Sequence, residues 1–361
     1  MRIATVETVP FALPFRETYR TASGELDRRE SALIRLRSDD GPEGLGEAVP
    51  LSLRGGASLV QVREEIEAAG AAELVGVTLP DQVLDASALI RRLLDRCRQR
   101  RISRVALCGI DIALHDLAAK AAGTGLGELI GVREQGPVPC NGTIGAVDAA
   151  AARRAAAELA EDGFASIKVK VGVGDDAARI AAVREATEPG AVIRVDANGS
   201  WTAGRAIEMD WTLAPLELIE QPCSDLEGLA RVRAATHTPI VADESIVSFG
   251  QAERSLTLNA CNATTAKLSK VGGIREAMRI SEILPTYMSS ALDGPVGIAA
   301  AAHCAGALPS IGYAHGLATA SLFADAPAAW PEIESGSVTA PAGPGLGIEI
   351  DEDALERLRI R

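Results

Sequence analysis

The feature that most constrains this chain's fold is a rhythm that begins near Val138. Short apolar, β-branched runs alternate with Ala-rich amphipathic stretches. The runs are Val138–Ile144, Ser166–Lys170, Val192–Asp196, Leu216–Glu220, Ile240–Asp243, Ala263–Lys267, Thr286–Leu292 and, more faintly, Ile311–His315. Runs of this length bounded by turn residues read as buried parallel strands. The stretches between read as helices: Asp148 and Asp175 are placed to cap two of them, and Ser224-Asp-Leu-Glu227 has the form of a capping box. Lys170, Asp196, Glu220, Asp243 and Lys267 follow one another at intervals of 23 to 26 residues, the length of one strand, one helix and two short loops. Eight such runs in strict alternation predict an α/β fold of the closed parallel barrel type. An open doubly wound sheet would need a Gly-rich phosphate turn after its first strand, and Gly172–Gly174 is too short and wrongly spaced for one.

Residues 1–125 break the rhythm. Arg2–Leu13, Glu30–Arg37 and Gly44–Val49 alternate like antiparallel strands, and Pro80–Arg100 and Ser103–Ala122 carry helical periodicity. Glu332–Ile350 is again strand-like and rich in Pro and Gly. The expected organisation is an α+β capping domain over 1–125, a barrel over 126–328 and a tail over 329–361 that packs back to complete the cap.

Composition narrows the function. The net charge is −13 over 361 residues, a field that invites neither nucleic acid nor an anionic membrane. No apolar run reaches the 18 residues of a membrane span, and Met1 to Pro14 does not read as a secretory leader. The six cysteines are scattered with no CxxC pair, as buried thiols of a cytoplasmic protein would be, and the four histidines are too far apart for a His-based metal motif. The expected partner is a small-molecule carboxylate, and a homo-oligomer is expected.

A barrel's chemistry sits where its strands end. Here the second run ends in Lys168-Val-Lys170, and the next four end in Asp196, Glu220, Asp243 and Lys267. Strand alternation puts Lys168 and Lys170 on one side. Three converging carboxylates repel unless a cation neutralises them, and a hard divalent ion such as Mg²⁺ does so while keeping positions open for substrate oxygens. Lysines beside such a mouth, with pKa values depressed by neighbouring positive charge and desolvation, serve as bases near neutral pH. Together these parts suit removal of a proton next to a carboxylate, through an enediolate stabilised by the metal. A Schiff-base aldolase using Lys170 or Lys267 is a different use of the lysines, but it leaves the three carboxylates unexplained.

The segments Ile167-Lys-Val-Lys170, Val195-Asp-Ala-Asn198-Gly with Trp201, Ile219-Glu-Gln-Pro222, Ala242-Asp-Glu-Ser245 and Lys267 followed by Gly272-Gly273 resemble, in order, the motifs of the enolase superfamily. The Arg104–Ala121 stretch, with its Gly-Ile-Asp-Ile-Ala-Leu-His-Asp-Leu run, resembles the helix before the barrel in the muconate-lactonizing subgroup. The resemblance spans essentially the whole chain. It implies a (β/α)7β modified TIM barrel with an α+β cap formed by both termini. It also implies Asp196, Glu220 and Asp243 as Mg²⁺ ligands (with Mn²⁺ as a substitute), Lys170 as acid/base, Lys168 as its electrostatic neighbour and Lys267 as the lysine on the opposite face. Asn198 and Glu244 would orient these groups, while Lys270 is expected to be structural.

The subgroup includes muconate-type cycloisomerases, o-succinylbenzoate synthases, N-acylamino acid racemases and dipeptide epimerases. The epimerases hold the substrate's amino group with two aspartates one residue apart near the last strand, and Tyr313-Ala-His-Gly-Leu-Ala-Thr-Ala320 has no such pair. Ser289-Ser-Ala-Leu-Asp-Gly-Pro-Val-Gly-Ile298 and Gly316-Leu-Ala-Thr319 resemble the corresponding stretches of o-succinylbenzoate synthases, whereas Lys267-Leu-Ser-Lys-Val-Gly-Gly273 is nearer the cycloisomerases and racemases. The expected reaction is a dehydration to o-succinylbenzoate, a step of menaquinone biosynthesis. Racemisation, epimerisation and cycloisomerisation are the alternatives. Ser290, Asp293, Gly294 and Arg20 are the expected substrate contacts, the last in the lid segment Arg16–Leu26 that pairs with the Gly-rich loop Val49–Ala57.

Overall fold

The computed structural model describes the chain apart from residues 22–23, 40, 51–54, 133–135, 188 and 361, and apart from the side chains of residues 20, 21 and 24. The first elements are an antiparallel sheet of β1 (Ile3–Thr21), β2 (Gly24–Ser38) and β3 (Glu43–Ala48) in that order. Its central stretch is buried on both faces. Ala32, Ile34 and Leu36 pack with helices Leu59–Ala69, Val83–Gln99 and Arg104–Ala122 in one core, whereas Leu33, Leu45, Phe11 and Leu13 join the core of the barrel. Arg29 shares the parity of Leu33 and so enters on the barrel side. Helix Arg104–Ala122, apolar nearly all round, lies so close to β3 that a Cβ at Gly46 would stand 2.1 Å from the Gly109 carbonyl oxygen.

The run Val138–Ile144 divides in two. β4 (Val138–Pro139) leaves the barrel, and β5 (Asn141–Ile144) begins it. β6 (Ser166–Lys170), β7 (Val192–Asp196), β8 (Ile219–Glu220), β9 (Ile240–Ala242), β10 (Ala263–Ala266) and β11 (Thr286–Met288) follow in sheet order, all parallel. At the end of the faint last run His315 bridges Cys140, and Gly316 just beyond it bridges Ser289, both in parallel. These join the first barrel strand region to the seventh and close the curl. The charged run ends Asp243 and Lys267 lie just beyond their strands, since β9 stops at Ala242 and β10 at Ala266.

Asp148 and Asp175 cap the helices Ala149–Glu161 and Asp176–Ala186 as expected. The next cap is Asp225, not Ser224: its side chain accepts from the Gly228 backbone N–H at 2.6 Å. Asp at this position outcompetes the predicted Ser–Glu box because its carboxylate also favours the helix dipole.

The tail divides its contacts. β12 (Ile333–Glu334) and β13 (Ser337–Val338) pair with β4, while helix Glu352–Leu358 sits against β1. Among the described residues, no helix is long and apolar enough to cross a membrane.

Candidate active site

Strand register assembles the charged groups. Lys170 pairs with Asp196 across β6 and β7, and Asp196 pairs with Glu220 across β7 and β8. Glu220 stands opposite Val241, which sets Asp243 two residues further along the same face of the next strand. Asp196, Glu220 and Asp243 are each 0% exposed. A buried carboxylate requires counter-charge and hydrogen bonds, and lysines supply both. Lys168 donates to Asp196 Oδ2 at 3.1 Å and to Glu220 Oε1 at 3.0 Å. Lys170 donates to Asp196 Oδ2 at 2.6 Å and to Asn198 Oδ1 at 2.8 Å. Lys267 donates to Asp243 Oδ2 at 2.5 Å. Lys270 donates to Asp243 Oδ1 at 2.7 Å and to its carbonyl at 2.6 Å.

These pairings set the proton affinities. Burial alone would lower the pKa values of Lys168 and Lys267. The carboxylates outweigh it, Glu220 and Asp196 at Lys168 and Asp243 at Lys267, and both lysines stand above the ordinary value. The depressed lysine values expected from the sequence are thus not found for these two, because each faces carboxylate more closely than ammonium. Lys270 is lowered instead, since burial there exceeds the pull of Asp243. Burial would raise Asp196 and Asp243, but Lys170 with Lys168, and Lys267 with Lys270, hold them below the usual carboxylate range. Glu220, deeply buried and beside the other two carboxylates, is raised despite Lys168.

A cavity of about 390 Å³ opens above this layer. Lys168, Lys170, Lys267 and Lys270 reach it with Asn198 and Glu244, so Lys270 is part of the site wall and not only a structural residue. Asn198, at φ 46°, donates to Glu244 Oε1 at 3.0 Å and thereby positions the acceptor of Lys170. Ser290 lines the cavity. Asp293 and Gly294 do not. Asp293 lies behind the wall, accepting from Ser269, Ser290 and the Ala291 N–H. The Gly294 N–H donates to Glu47 of the cap at 2.8 Å. The Arg20 side chain lies outside the described residues. The cap instead contributes Tyr19, Leu26 and Arg29, and Arg29 donates to the Ala291 carbonyl at 3.0 Å. Strand parity was the available signal for Arg29. Gln221, inside a motif noted from sequence but without an assigned role, accepts from the Asp243 N–H at 2.7 Å and so fixes the start of the loop that carries Glu244.

As placed, every one of the three carboxylates is committed to lysine, and among the described residues no three His, Cys, Asp or Glu converge as ligands. The donor set still suits a hard divalent cation: three all-oxygen ligands at consecutive strand ends, buried, with a neutral amide next to them. Ion binding there requires Lys168 to release at least one of the two carboxylates it bridges.

The fold and the site define a capped parallel-barrel enzyme with a lysine and carboxylate centre. The family model described as enolase C-terminal domain-like matches residues 150–354, and that of the mandelate racemase / muconate lactonizing enzyme N-terminal domain matches residues 3–131. The chain belongs to the enolase superfamily, in its muconate-lactonizing subgroup. It is 32% identical over 323 residues to a hydrophobic dipeptide epimerase of Enterococcus faecalis, covering 86% of this chain and 89% of the relative. The solved structure of that organism's dipeptide epimerase with Mg and the dipeptide L-Leu-L-Tyr superposes with a TM-score of 0.89 at 30% identity, over 97% of this chain and 100% of that one. An o-succinylbenzoate synthase of Thermobifida fusca is 39% identical over 194 residues, which are 51% of this chain and 60% of the relative. The muconate lactonizing enzyme of Pseudomonas fluorescens, solved with muconolactone, gives a TM-score of 0.92 at 29% identity, over 99% of both chains.

Proposed function

We propose that this enzyme removes the proton α to the carboxylate of a small substrate, and that its reaction is the syn-dehydration that yields o-succinylbenzoate. The observation that carries the first part is the entry of Lys170 and Lys267 into one cavity from separate strands, β6 and the end of β10, above three buried carboxylates. Asp196, Glu220 and Asp243 would hold Mg²⁺, the metal present in the dipeptide epimerase structure. When bound, Mg²⁺ supplies positive charge to the substrate carboxylate and takes up the carboxylate charge that otherwise holds protons on the lysines.

Lys170 takes the α-proton. The C–H electron pair moves into the ring, the C–O bond to the β-hydroxyl breaks, and Lys170 returns its proton to the departing hydroxyl as water. Lys267 supplies positive charge from the opposite wall. Lys168 stays an ammonium next to Lys170, keeping one of the two carboxylates it bridges as its counter-charge.

Two features support a substrate without a free ammonium. The acidic residues among the described cavity-lining set are Asp243 and Glu244, and these are bonded to Lys267 and Lys270, and to Asn198. The wall at Gly316 and Thr319 offers a hydroxyl and backbone where an ammonium would need a carboxylate. The resemblance of the Ser289–Ile298 segment to synthases supports dehydration. A second reading, racemisation of an N-acylated amino acid, is favoured by the same pair of lysines, since a proton removed on one side and replaced on the other needs both.

The test is to assay the purified protein with Mg²⁺ against two substrate sets. One is the hydroxylated cyclohexadiene carboxylate whose dehydration gives o-succinylbenzoate; the other is a panel of N-succinyl amino acids. Dehydration well above any racemisation is the expected result. Racemisation alone would overturn the dehydration reading and keep the proton-abstraction reading.

A further inference from the structure

Below the three carboxylates, the barrel interior holds a polar layer that the proposed chemistry leaves unused. Arg194 on β7, 0% exposed, donates to Glu217 Oε2 at 2.7 Å and to the Ala314 carbonyl at 2.8 Å. Its guanidinium lies 5.4 Å from the ring centre of Tyr287 on β11, and Tyr313 meets that ring edge-on at 6.0 Å. Tyr287, 1% exposed, thus has its ring fixed from two sides. Its hydroxyl donates to Glu220 Oε2 at 3.1 Å, across the barrel interior.

The consequence lies in the two oxygens of Glu220. Oε1 accepts from Lys168, on the cavity-lining side, and Oε2 accepts from Tyr287. The geometry points to Tyr287 as a positioning residue that occupies one oxygen of Glu220 and presents the other to the cation, an inference that rests on the Mg²⁺ reading above. Carboxylate ligands held by such outer hydrogen bonds lose 10–100-fold in metal affinity when the partner is removed.

The experiment compares the full-length protein with Tyr287→Phe, which removes the hydroxyl and keeps the ring that Arg194 and Tyr313 pack. Mg²⁺ affinity is measured by isothermal titration calorimetry, and thermal unfolding is followed without Mg²⁺. The expected result is a loss of roughly tenfold to a hundredfold in Mg²⁺ affinity. Without metal the variant should still fold cooperatively, with an unfolding midpoint lowered only by the loss of one hydrogen bond to a buried carboxylate, and turnover should largely recover at saturating Mg²⁺. Equal affinity in variant and wild type would overturn the role given to Tyr287 while leaving the metal reading intact. A wild-type protein that binds no Mg²⁺ would overturn both.

A measurement on the wild-type sequence covers the case in which Tyr287→Phe fails to fold. The chain has three tyrosines, so 3-fluorotyrosine labelling gives three ¹⁹F resonances, assigned through Tyr19→Phe and Tyr313→Phe. The Tyr287 resonance should shift along the Mg²⁺ binding isotherm. A Tyr287 resonance that stays put through saturation would overturn the proposal.

Discussion

Lys267 donates to Asp243 Oδ2 at 2.5 Å, and Asp243 is fully buried. The same carboxylate also holds Lys270. One buried anion therefore balances one buried and one partly buried ammonium, and removing it leaves both without their closest counter-charge. Breaking a buried pair by deleting one partner costs about 3–5 kcal/mol. Asp243→Asn should lose stability of that order in urea unfolding at neutral pH and should have no detectable turnover. The sign with pH follows: an aspartate held low contributes stability that is fully present above its unfolded value and is lost as pH falls through its folded value. The wild-type minus Asp243→Asn difference should thus be flat from pH 5 to 8.

A metal-free preparation in excess chelator should be inactive, with activity restored by Mg²⁺. Glu220→Gln and Asp196→Asn should each weaken Mg²⁺ binding and abolish turnover. Steady-state rates with chelator equal to those with Mg²⁺ would remove the metal from the account.

Glu47 ties the cap to the barrel, accepting from the Gly294 and Gly297 N–H groups at the start of helix Pro295–Ala307 at 2.8 and 2.9 Å. Burial, with Asp293 beside it, pushes its carboxyl up to about 7. An acid raised on folding is still protonated in the folded state where the unfolded chain has ionised, so its contribution to stability falls as pH rises from about 4.5 to about 7. His315, driven down to about 4 chiefly by burial, gives the opposite slope between its folded and unfolded values. The informative quantity is therefore the difference: relative to wild type, Glu47→Gln should gain stability as pH rises through that window. A pH-independent difference between the two would show that Glu47 is ionised in both states.

Removing the residues after Glu332 should unfold or inactivate the protein. The Leu346 N–H donates to buried Asp116 at 2.7 Å, Arg35 pairs with Glu352 at 2.6 Å, and β13 pairs with β4. Truncation would leave Asp116 and Arg35 buried without these partners, a state that costs more than an apolar gap. Limited proteolysis that released a stable, active, tail-free protein would contradict this.

The barrel and the layer of charges were legible because strand burial and strand ends both leave a regular trace: Lys170, Asp196 and Glu220 stand in direct register, as their spacing predicted. The cavity's outer wall was not. Ser290 was found through resemblance, yet Asp293 three residues later is consumed by local hydrogen bonds, which residue identity does not reveal. Arg29 shares the parity of Leu33, but parity alone does not say which face of the sheet meets the barrel, and the same holds for Tyr19. The proton affinities of Lys168 and Lys267 were misjudged in sign because they turn on distances to particular carboxylates. Tyr287 lay in an apolar run with no local mark of its reach to Glu220.

Whether Lys170 cycles the proton is read from Lys170→Arg assayed with Mg²⁺ and the cyclohexadiene carboxylate, following the absorbance of the aromatic product. Arginine keeps the charge but is too weak an acid to give and take a proton at neutral pH. Wild type should form product and Lys267→Arg should do so at a reduced rate, with Lys170→Arg slower than wild type by about 10²–10⁴-fold or more. Dehydration by Lys170→Arg at a rate near that of wild type would contradict that role for Lys170.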